Sequence, residues 1–235
     1  MKQLSNNVYC DDLFDTINIS QAIFASPYAN YPYLILKNFF SKEICDTLTT
    51  LVKEDNQTKQ KAKVREINAS SIKESYRKTT IGTLESYYER TYEAQFDNYK
   101  AEIEDYFSVA MTQSTQVQVL EYTKGFFYVK HADDSSELLN KEKETVGFKV
   151  VVPQRKLSSV LFVTSHDTHA KVGEQSFSGG ELLFNYLYDK EGNVIKIEPE
   201  AGDMIVFPSH PYFSHEVLEV EEGYRLTLVQ WHDTV

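Results

Sequence analysis

Beyond Met111 the sequence consists of short runs of β-branched and aromatic residues that are separated by turn residues. Runs of this length and composition are typical of antiparallel strands in a sandwich or a barrel. Residues 214–220 are one candidate strand, and eight further runs predict strands at 117–122, 126–131, 146–152, 157–164, 181–187, 194–198, 204–207 and 224–231. The predicted fold is therefore α+β, with a double-stranded β-helix, the cupin-like jelly roll, over residues 113–235.

Residues 1–112 are predicted to form a helical support region that is integral to the same single domain. Residues 33–40 predict a buried strand, and residues 41–55 predict a helix that begins at an N-cap serine. A second helix is predicted over residues 86–107, because its aromatic residues follow one helical stripe that is typical of a core-facing surface. Residues 53–78 are polar and lack a regular period, which predicts a mobile connection between the helices.

The composition limits the classes of partner. The formal net charge is −11, from 24 Lys and Arg residues and 35 Asp and Glu residues. Such a surface repels phosphate backbones and anionic lipids, so we expect no nucleic acid, no membrane, and a cationic or neutral substrate. Residues 1–12 lack the basic-then-apolar pattern of a leader, which predicts a soluble, cytoplasmic protein. Cys10 and Cys45 make no disulfide framework and have no second cysteine at metal-ligand spacing.

The segment His131-Ala132-Asp133 is the first candidate metal motif. Side chains alternate between the faces of a strand, so His131 and Asp133 are expected to point the same way. His215 is a candidate third ligand, because the preceding run 202–208 predicts a turn and a strand that lead to it. Two histidines and one carboxylate leave three octahedral positions open, which suits Fe(II) that binds a co-substrate and oxygen together. Alone, such a motif is weak evidence, because most are ordinary strand-end pairs.

Arg225 strengthens the metal hypothesis. It lies ten residues after His215, across a predicted turn at 221–223, on a strand expected to return antiparallel beside His215. Its guanidinium is suited to clamp the distal carboxylate of a dicarboxylate through two hydrogen bonds. Thr227 shares the same face of the strand and can donate a hydroxyl hydrogen bond to that carboxylate. The alternative is that Arg225 is a solvated strand residue.

In this order and spacing the sequence resembles the prolyl-4-hydroxylase-like branch of the Fe(II) and 2-oxoglutarate dependent dioxygenases. The resemblance extends from residue 31 to the C-terminus and is strongest from residue 117 onward. Apart from the candidate ligands and Arg225, the segments that carry it are 122–131 (YTKGFFYVKH), 177–182 (FSGGEL), 202–208 (GDMIVFP) and 223–225 (GYR), together with Trp231.

The resemblance implies cofactors and site residues. Fe(II) would be held by His131, Asp133 and His215, with 2-oxoglutarate and O2 as co-substrates and ascorbate as a reductant. The distal carboxylate of 2-oxoglutarate would meet residues that line the same pocket, namely Arg225, Thr227, Tyr122 and Tyr128. The three iron ligands and Arg225 would thus carry catalysis.

The resemblance also implies the reaction. Oxygen would convert 2-oxoglutarate to succinate and carbon dioxide while an unactivated C–H bond of a prolyl or other residue in a peptide or protein is hydroxylated. Asp133 favours hydroxylation, because related halogenases have a small residue at this position that leaves room for chloride. The alternatives are a hydroxylase of a free amino acid or natural product, and a non-catalytic cupin-like metal-binding protein. The sequence does not specify the oligomeric state.

Other polar segments have less specific interpretations. Residues 166–169 (HDTH) are either a second metal cluster or part of a solvated loop, and the loop is favoured by the polar surroundings. His210 is a candidate substrate contact at the mouth of the pocket or a structural histidine. His232 and Asp233, near the end of the chain, are expected at the surface. Residues 134–146 predict an exposed loop that follows the ligand strand and can fold over the substrate.

Overall fold

Two β-sheets pack face to face around an apolar core, and helices cover the outer side of the larger sheet. The computed structural model describes residues 2–5, 8–10, 32–54, 60–61, 64–66, 69–71, 76–142, 144–171 and 175–235. Its helices are α1 (Lys42–Glu54) and α2 (Ser86–Phe107), and a 3₁₀ turn spans Pro211–Phe213. Within these ranges, no helix is both long and apolar enough to cross a membrane.

The strands follow in chain order. They are β1 (Lys2–Ser5), β2 (Val8–Cys10), β3 (Leu34–Leu36), β4 (Gln60–Lys61), β5 (Val64–Glu66), β6 (Ala69–Ser71), β7 (Arg77–Lys78), β8 (Thr80–Thr83), β9 (Met111–Ser114), β10 (Gln118–Thr123), β11 (Phe127–His131), β12 (Ser135–Leu139), β13 (Thr145–Val150), β14 (Leu157–Phe162), β15 (Ser165–His166), β16 (Ser176–Gly179), β17 (Leu182–Tyr188), β18 (Val194–Ile197), β19 (Met204–Pro208), β20 (His215–Val217) and β21 (Val220–Thr234).

The strand order is that of a double-stranded β-helix. The larger sheet has the order β3-β19-β14-β21-β10-β8-β4, with β9 and β16 also paired to β21 and β15 paired to β16. The facing sheet has the order β18-β17-β20-β11-β7, and β1-β2-β13-β12 and β5-β6 form two smaller sheets. Neighbouring strands within the described ranges are antiparallel except β15 and β16. The fold class predicted from the sequence is confirmed.

Strand β21 shows how alternation along a strand divides the core in two. Leu226 and Leu228 belong to the cluster that packs the larger sheet against the helices, which contribute Tyr92 and Phe96. Val229 and Trp231 belong to the cluster between the two sheets. Successive side chains of a strand point to opposite faces, so one strand serves both layers. The inner face of β21 is therefore available to line a site between the sheets.

Both helices agree with the sequence prediction. Ser41 Oγ accepts a hydrogen bond from Ile44 N at 3.4 Å, in the manner of an N-cap for α1. Helix α2 spans the predicted residues and ends at Ser108, which adopts the left-handed conformation with φ 52°. The buried residues of α2 include most of the predicted stripe, which confirms its core role, and they are Tyr92, Phe96, Ile103 and Phe107.

Residues before 113 supply strands as well as helices. The strand predicted at 33–40 is present but shorter than predicted, because β3 covers only Leu34–Leu36; it pairs with β19. The prediction of a mobile connection over 53–78 is wrong wherever the structure describes that stretch. Its first residues end α1, and β4 to β7 follow, of which β7 pairs with the ligand-bearing strand β11. The remaining residues of 53–78 lie outside the described ranges.

The predicted exposed loop at 134–146 is mostly a hairpin. Strand β12 pairs with β13 along its length, from Ser135 opposite Val150 to Leu139 opposite Thr145. The sequence SSELL gives only weak alternation, and the partner strand compensates for this by completing the backbone hydrogen bonds. Residue 143 of this stretch lies outside the described ranges.

The prediction that Arg225 returns on a strand beside His215 is wrong. Strand β20 lies between β17 and β11 in the smaller sheet, whereas β21 lies between β14 and β10 in the larger sheet. The chain crosses between the sheets at 218–219, before the predicted turn at 221–223. That turn lies inside β21, where Gly223 has φ 84° and a Cβ would lie 2.0 Å from Ser176 O. Arg225 therefore approaches His215 from the opposite sheet.

Candidate metal centre

His131 and His215 lie directly opposite each other on the paired strands β11 and β20. In each ring Nδ1 is 2.9 Å from a backbone carbonyl two residues earlier, Val129 O for His131 and Phe213 O for His215. Because a carbonyl can only accept, Nδ1 carries the proton and donates it, which leaves the Nε2 lone pair for a metal ion. Both rings are thus oriented as ligands before any ion binds.

Asp133 completes the group from a bend that follows β11, and not from the strand itself. Its Oδ1 lies 3.8 Å from His131 Nε2, and its Oδ2 lies 3.9 Å from His215 Nε2. The ligand atoms of the three residues all lie within 4.8 Å of one another, and within the described ranges no other group of His, Cys, Asp and Glu forms such a cluster. The expectation that strand alternation aligns His131 and Asp133 is wrong, although the two residues do converge.

The protonation states suit a divalent cation. Burial, followed by the proximity of His215, lowers the pKa of His131 to about 3, so its imidazole is neutral near pH 7. Burial by itself raises the pKa of Asp133, but His215, His131 and the Ser158 hydroxyl together bring it below its usual value, so the carboxylate is ionised. Neutral imidazoles and an ionised carboxylate are the forms that bind metal.

Aromatic rings restrict the movement of the two histidines. The Tyr128 ring stacks on His131 with a centroid distance of 3.6 Å. The Phe207 and Phe184 rings contact His215 edge to face at 4.9 and 6.0 Å. Rings packed in this way hold the imidazoles at fixed orientations, which preorganises the ligand set.

Arg225 lies on β21 and is 1% exposed. Its Cζ is 4.9 Å from the Tyr122 ring, and its closest polar contact is a long one, from Nη1 to Thr227 Oγ1 at 3.5 Å. Within the described ranges no carboxylate forms an ion pair with it, and Nε has no hydrogen-bond partner. Burial lowers the pKa of Arg225 to about 10, so the guanidinium is still charged near pH 7. A buried cation without a carboxylate partner fits an incoming carboxylate.

The glycine pair in the FSGGEL segment allows this arginine to pack. Gly180 has φ 63°, and a Cβ there would lie 3.2 Å from Arg225 Cδ and 2.8 Å from a Val220 methyl. A side chain at this position would therefore push against the stem of Arg225. The motif seen in the sequence has a direct role in shaping the anion site.

The metal group and Arg225 share one cavity of about 610 Å³ between the two sheets. All seven residues predicted for the site line it, namely His131, Asp133, His215, Arg225, Thr227, Tyr122 and Tyr128. Tyr122 and Thr227 are each 1% exposed, so the inner end of the cavity is secluded from solvent. The arrangement can hold a metal ion and, further in, the far carboxylate of a dicarboxylate.

The remaining histidines lie elsewhere. His166 is not solvated as expected, because its side chain packs against Phe177 with its Nε2 3.7 Å from Glu181 Oε1, whereas His169 is exposed. The polar surroundings of these two histidines, residues 165–178, include β15 and most of β16, and residues 172–174 lie outside the described ranges. His210 contacts the rings of Tyr212 and Phe213 and does not line the cavity.

The prediction that His232 is a surface residue is wrong. It is fully buried, stacks on Phe96, and hydrogen-bonds Ser159 Oγ at 2.9 Å and Ser114 Oγ at 2.8 Å. Strand β21 runs through the centre of the larger sheet almost to the chain end, which buries His232 under α2. Asp233 is partly exposed.

Sequence reasoning did not identify several polar residues around the site. Ser158 and Ser209 contact Asp133, and Arg77 and Arg155 line the cavity. Ser158 and its neighbour Ser159 are the two polar residues of the otherwise apolar strand β14, which is a detectable signal. Arg77 gave none, because it ends a stretch of polar residues without a regular period.

Comparison with known proteins agrees with this geometry. Residues 117–233 match the family model of the 2OG-Fe(II) oxygenase superfamily. No curated protein sequence matches the chain significantly.

Among solved structures, a Pseudomonas putida prolyl-4-hydroxylase is similar with a TM-score of 0.62 and 20% identity over 91% of this chain and 98% of that one. A viral collagen prolyl hydroxylase from Paramecium Bursaria Chlorella virus-1 in a 2OG complex has a TM-score of 0.55 and 16% identity, over 89% and 99% of the two chains. A Trichoplax adhaerens prolyl hydroxylase in complex with a peptide fragment of the hypoxia inducible factor oxygen degradation domain has a TM-score of 0.59 and 16% identity, over 95% and 90%. At these identities the likeness concerns the fold.

Proposed function

Because the chain belongs to the 2OG-Fe(II) oxygenase superfamily and is a dioxygenase, we propose that it hydroxylates an unactivated C–H bond and releases succinate and carbon dioxide. The observation that carries the proposal is the buried Arg225 guanidinium, which shares one cavity with the His131, Asp133 and His215 group. A metal-binding jelly roll without 2-oxoglutarate would have no use for a desolvated cation at the inner end of its cavity.

The residues present suit Fe(II) and 2-oxoglutarate. His131, Asp133 and His215 would hold Fe(II), since two imidazoles and one carboxylate are the ligand set that leaves positions open for co-substrate and oxygen. Bound iron, 2-oxoglutarate and O2 supply the oxidation, in which one oxygen atom enters succinate and the other enters the substrate. Arg225 would accept the distal carboxylate in bidentate fashion, with Thr227 and Tyr122 as hydroxyl donors.

The protein's own contribution is orientation and exclusion of water. The carbonyls of Val129 and Phe213 keep both imidazoles in the tautomer that presents Nε2. The Tyr128 ring, stacked on His131, is better suited to shielding that ligand than to binding the distal carboxylate, because Tyr122 contacts Arg225 and Tyr128 contacts His131. Preorganised ligands at the inner, buried end of the cavity favour coupling of oxygen consumption to hydroxylation.

We propose a prolyl or other residue of a peptide as the substrate, with a free amino acid as the second candidate. The peptide is supported by the similar Trichoplax adhaerens hydroxylase in complex with a peptide fragment. The free amino acid is supported by the excess of cationic over anionic side chains that line the cavity.

The experiment is reconstitution with Fe(II), 2-oxoglutarate and ascorbate, followed by quantification of succinate and of hydroxylated product by mass spectrometry. Proline-containing peptides and free amino acids are offered in parallel. His131→Ala and His215→Ala are matched controls that each remove one ligand, and both should lose product and succinate. Turnover in either variant at the wild-type rate would contradict the proposed iron ligands.

A further inference from the structure

Arg77 is a buried cation of the cavity wall that iron and 2-oxoglutarate leave unexplained. It belongs to β7, is 9% exposed, and lines the cavity. Its Cζ lies 4.4 Å from the centroid of the Tyr128 ring. Within the described part of the chain the Arg77 side chain has no hydrogen bond and no ion pair, and its Nε is buried without a partner. A desolvated charge without a counter-charge is costly, so stability does not account for this residue.

The balance of charge in the cavity has the opposite sign to that of the whole chain. Its charged lining residues other than the histidines are four cations and two anions, namely Arg77, Lys130, Arg155, Arg225, Asp133 and Glu137. The charges of Fe(II) and Arg225 together would balance those of 2-oxoglutarate and Asp133. Lys130 is paired with Glu137, with Nζ 3.4 Å from Oε1. The loaded cavity would therefore retain a positive wall, although the net charge of the chain is −11.

We infer that Arg77 binds a carboxylate of the primary substrate, so that the substrate class is carboxylic acids. This inference rests on the proposed function and adds the chemical group by which the substrate is recognised. The carboxylate can come from the α-carboxyl group of a free amino acid or from an acidic side chain of a peptide. A guanidinium recognises either source by the same two parallel hydrogen bonds.

The position of Arg77 relative to the metal ligands is consistent with this role. The Tyr128 ring contacts both Arg77 and His131, with 4.4 Å from Cζ to the Tyr128 centroid and 3.6 Å between the Tyr128 and His131 centroids. The sum of these distances, 8.0 Å, is the upper limit for the distance from Cζ to the His131 centroid. A molecule the size of an amino acid can span this distance. Its carboxylate at Arg77 would leave a carbon atom close to the metal group.

Binding, and not turnover, is the appropriate measurement. The full chain is loaded with Mn(II) and 2-oxoglutarate, and acid and amide partners are compared by calorimetry. One series compares free amino acids with their carboxamides, for example proline with prolinamide. The other compares doubly capped proline peptides that contain either Glu or Gln beside the proline. The series in which the acid binds more tightly identifies the source of the carboxylate.

We expect at least one acid to bind about tenfold or more tightly than its amide, because a hydrogen-bonded charge is lost in the amide. Arg77→Gln should remove this difference, and Arg77→Lys should retain part of it. Lys78→Gln is the matched control, since Lys78 is the neighbouring cation on the same strand, contacts Phe126, and does not line the cavity. It should retain the full difference.

The inference is overturned if acids and amides bind equally, if the preference survives in Arg77→Gln, or if no acid binds to protein that binds 2-oxoglutarate. Failure of the proposed function has a different signature, because 2-oxoglutarate itself would then not bind while the acid preference could still depend on Arg77. Thermal unfolding without ligands tests a purely structural role. Arg77→Gln should leave the midpoint unchanged or raise it, and a large fall together with an intact acid preference would contradict the inference.

Discussion

The Ser158 hydroxyl donates a hydrogen bond to Asp133 Oδ2 at 2.6 Å. Ser158 belongs to β14 of the larger sheet, whereas Asp133 follows β11 of the smaller sheet. Ser209 supports both residues, because its Oγ lies 2.7 Å from Ser158 Oγ and its carbonyl accepts a hydrogen bond from Asp133 N at 3.1 Å. The carboxylate of the candidate metal centre is thus held from the opposite sheet.

Ser158→Ala is predicted to weaken metal binding without removing a ligand. Loss of a hydrogen bond that orients a ligand typically lowers metal affinity about ten- to a hundredfold. Titration with Co(II), followed by visible absorption, measures the affinity. Ser159→Ala is the matched control, because Ser159 is the next residue of β14, faces the helices, and contacts Tyr92 and His232 instead. Equal affinities in the two variants would contradict a positioning role for Ser158.

Asp133→Ala is predicted to abolish hydroxylated product, while slow uncoupled loss of 2-oxoglutarate can continue at the two histidines. Asp134→Asn is the matched control. Asp134 is also buried, but it accepts a hydrogen bond from Ser135 Oγ at 2.6 Å and is not part of the metal group. Mass spectrometry of the substrate, and not succinate alone, is the relevant measurement. Full product formation by Asp133→Ala would show that another carboxylate binds the metal.

The convergence of His131, Asp133 and His215 could be predicted from their order and spacing along the chain. Strand alternation does not position Asp133, since this residue lies beyond the strand and is held by contacts with Ser158 and Ser209. Ser158 lies 25 residues from Asp133 along the chain, and Ser209 lies 51 residues from Ser158. No local pattern indicates such contacts, because they exist only after the two sheets have packed.

Periodicity also could not predict which strands share a sheet. The segment Glu221-Glu222-Gly223 has the composition of a turn, yet the positive φ of Gly223 allows β21 to bend and continue. A position near the chain end favours exposure of His232, yet the sheet order buries it. Composition gives a propensity, whereas burial depends on which strands flank a given one.

Acid is predicted to destabilise the metal-free protein, partly through His232. Burial lowers the pKa of His232 to about 3, below the ordinary 6.5, so the unfolded chain binds a proton that the folded chain does not. The stabilising contribution is complete above pH 6.5 and is lost as pH falls, by about 1.4 kcal/mol per pH unit for each such histidine. His131 and His210, with pKa values lowered by burial to about 3 and 4, act in the same direction.

Asp134 opposes this trend, because burial raises its pKa to about 6 and the folded state then binds the extra proton. Comparing the pH dependence of stability between His232→Gln and the wild type separates the contribution of His232 from that of Asp134. Urea unfolding in the presence of a chelator gives the free energy of unfolding at each pH from 6.5 to 4.5. The slope of this free energy against pH should be smaller in His232→Gln than in the wild type by about 1.4 kcal/mol per pH unit. The exposed His169→Gln is the control. An unchanged slope in His232→Gln would contradict a buried, neutral His232.

Arg225 provides the test that separates a 2-oxoglutarate enzyme from a jelly roll that only binds metal. Arg225→Met would leave the distal carboxylate in a secluded pocket without a cation, and losing a hydrogen bond to a charged group costs about 1.5–3 kcal/mol. The expected result is about tenfold or greater weakening of 2-oxoglutarate binding. Arg225→Lys should show an intermediate loss, because it retains the charge but not the two parallel hydrogen bonds.

The two binding events can be measured separately in these variants. Iron affinity without 2-oxoglutarate should hardly change in either of them, since Arg225 is not among the candidate ligands and lies on the opposite sheet from His215. Anaerobic titration of 2-oxoglutarate, followed by the visible absorbance of the iron chelate, gives the second affinity. The wild-type cation has no carboxylate partner among the described residues, so its replacement by Met should not unfold the protein. If Arg225→Met binds 2-oxoglutarate as tightly as the wild type, the buried guanidinium serves another anion and the proposed co-substrate is wrong.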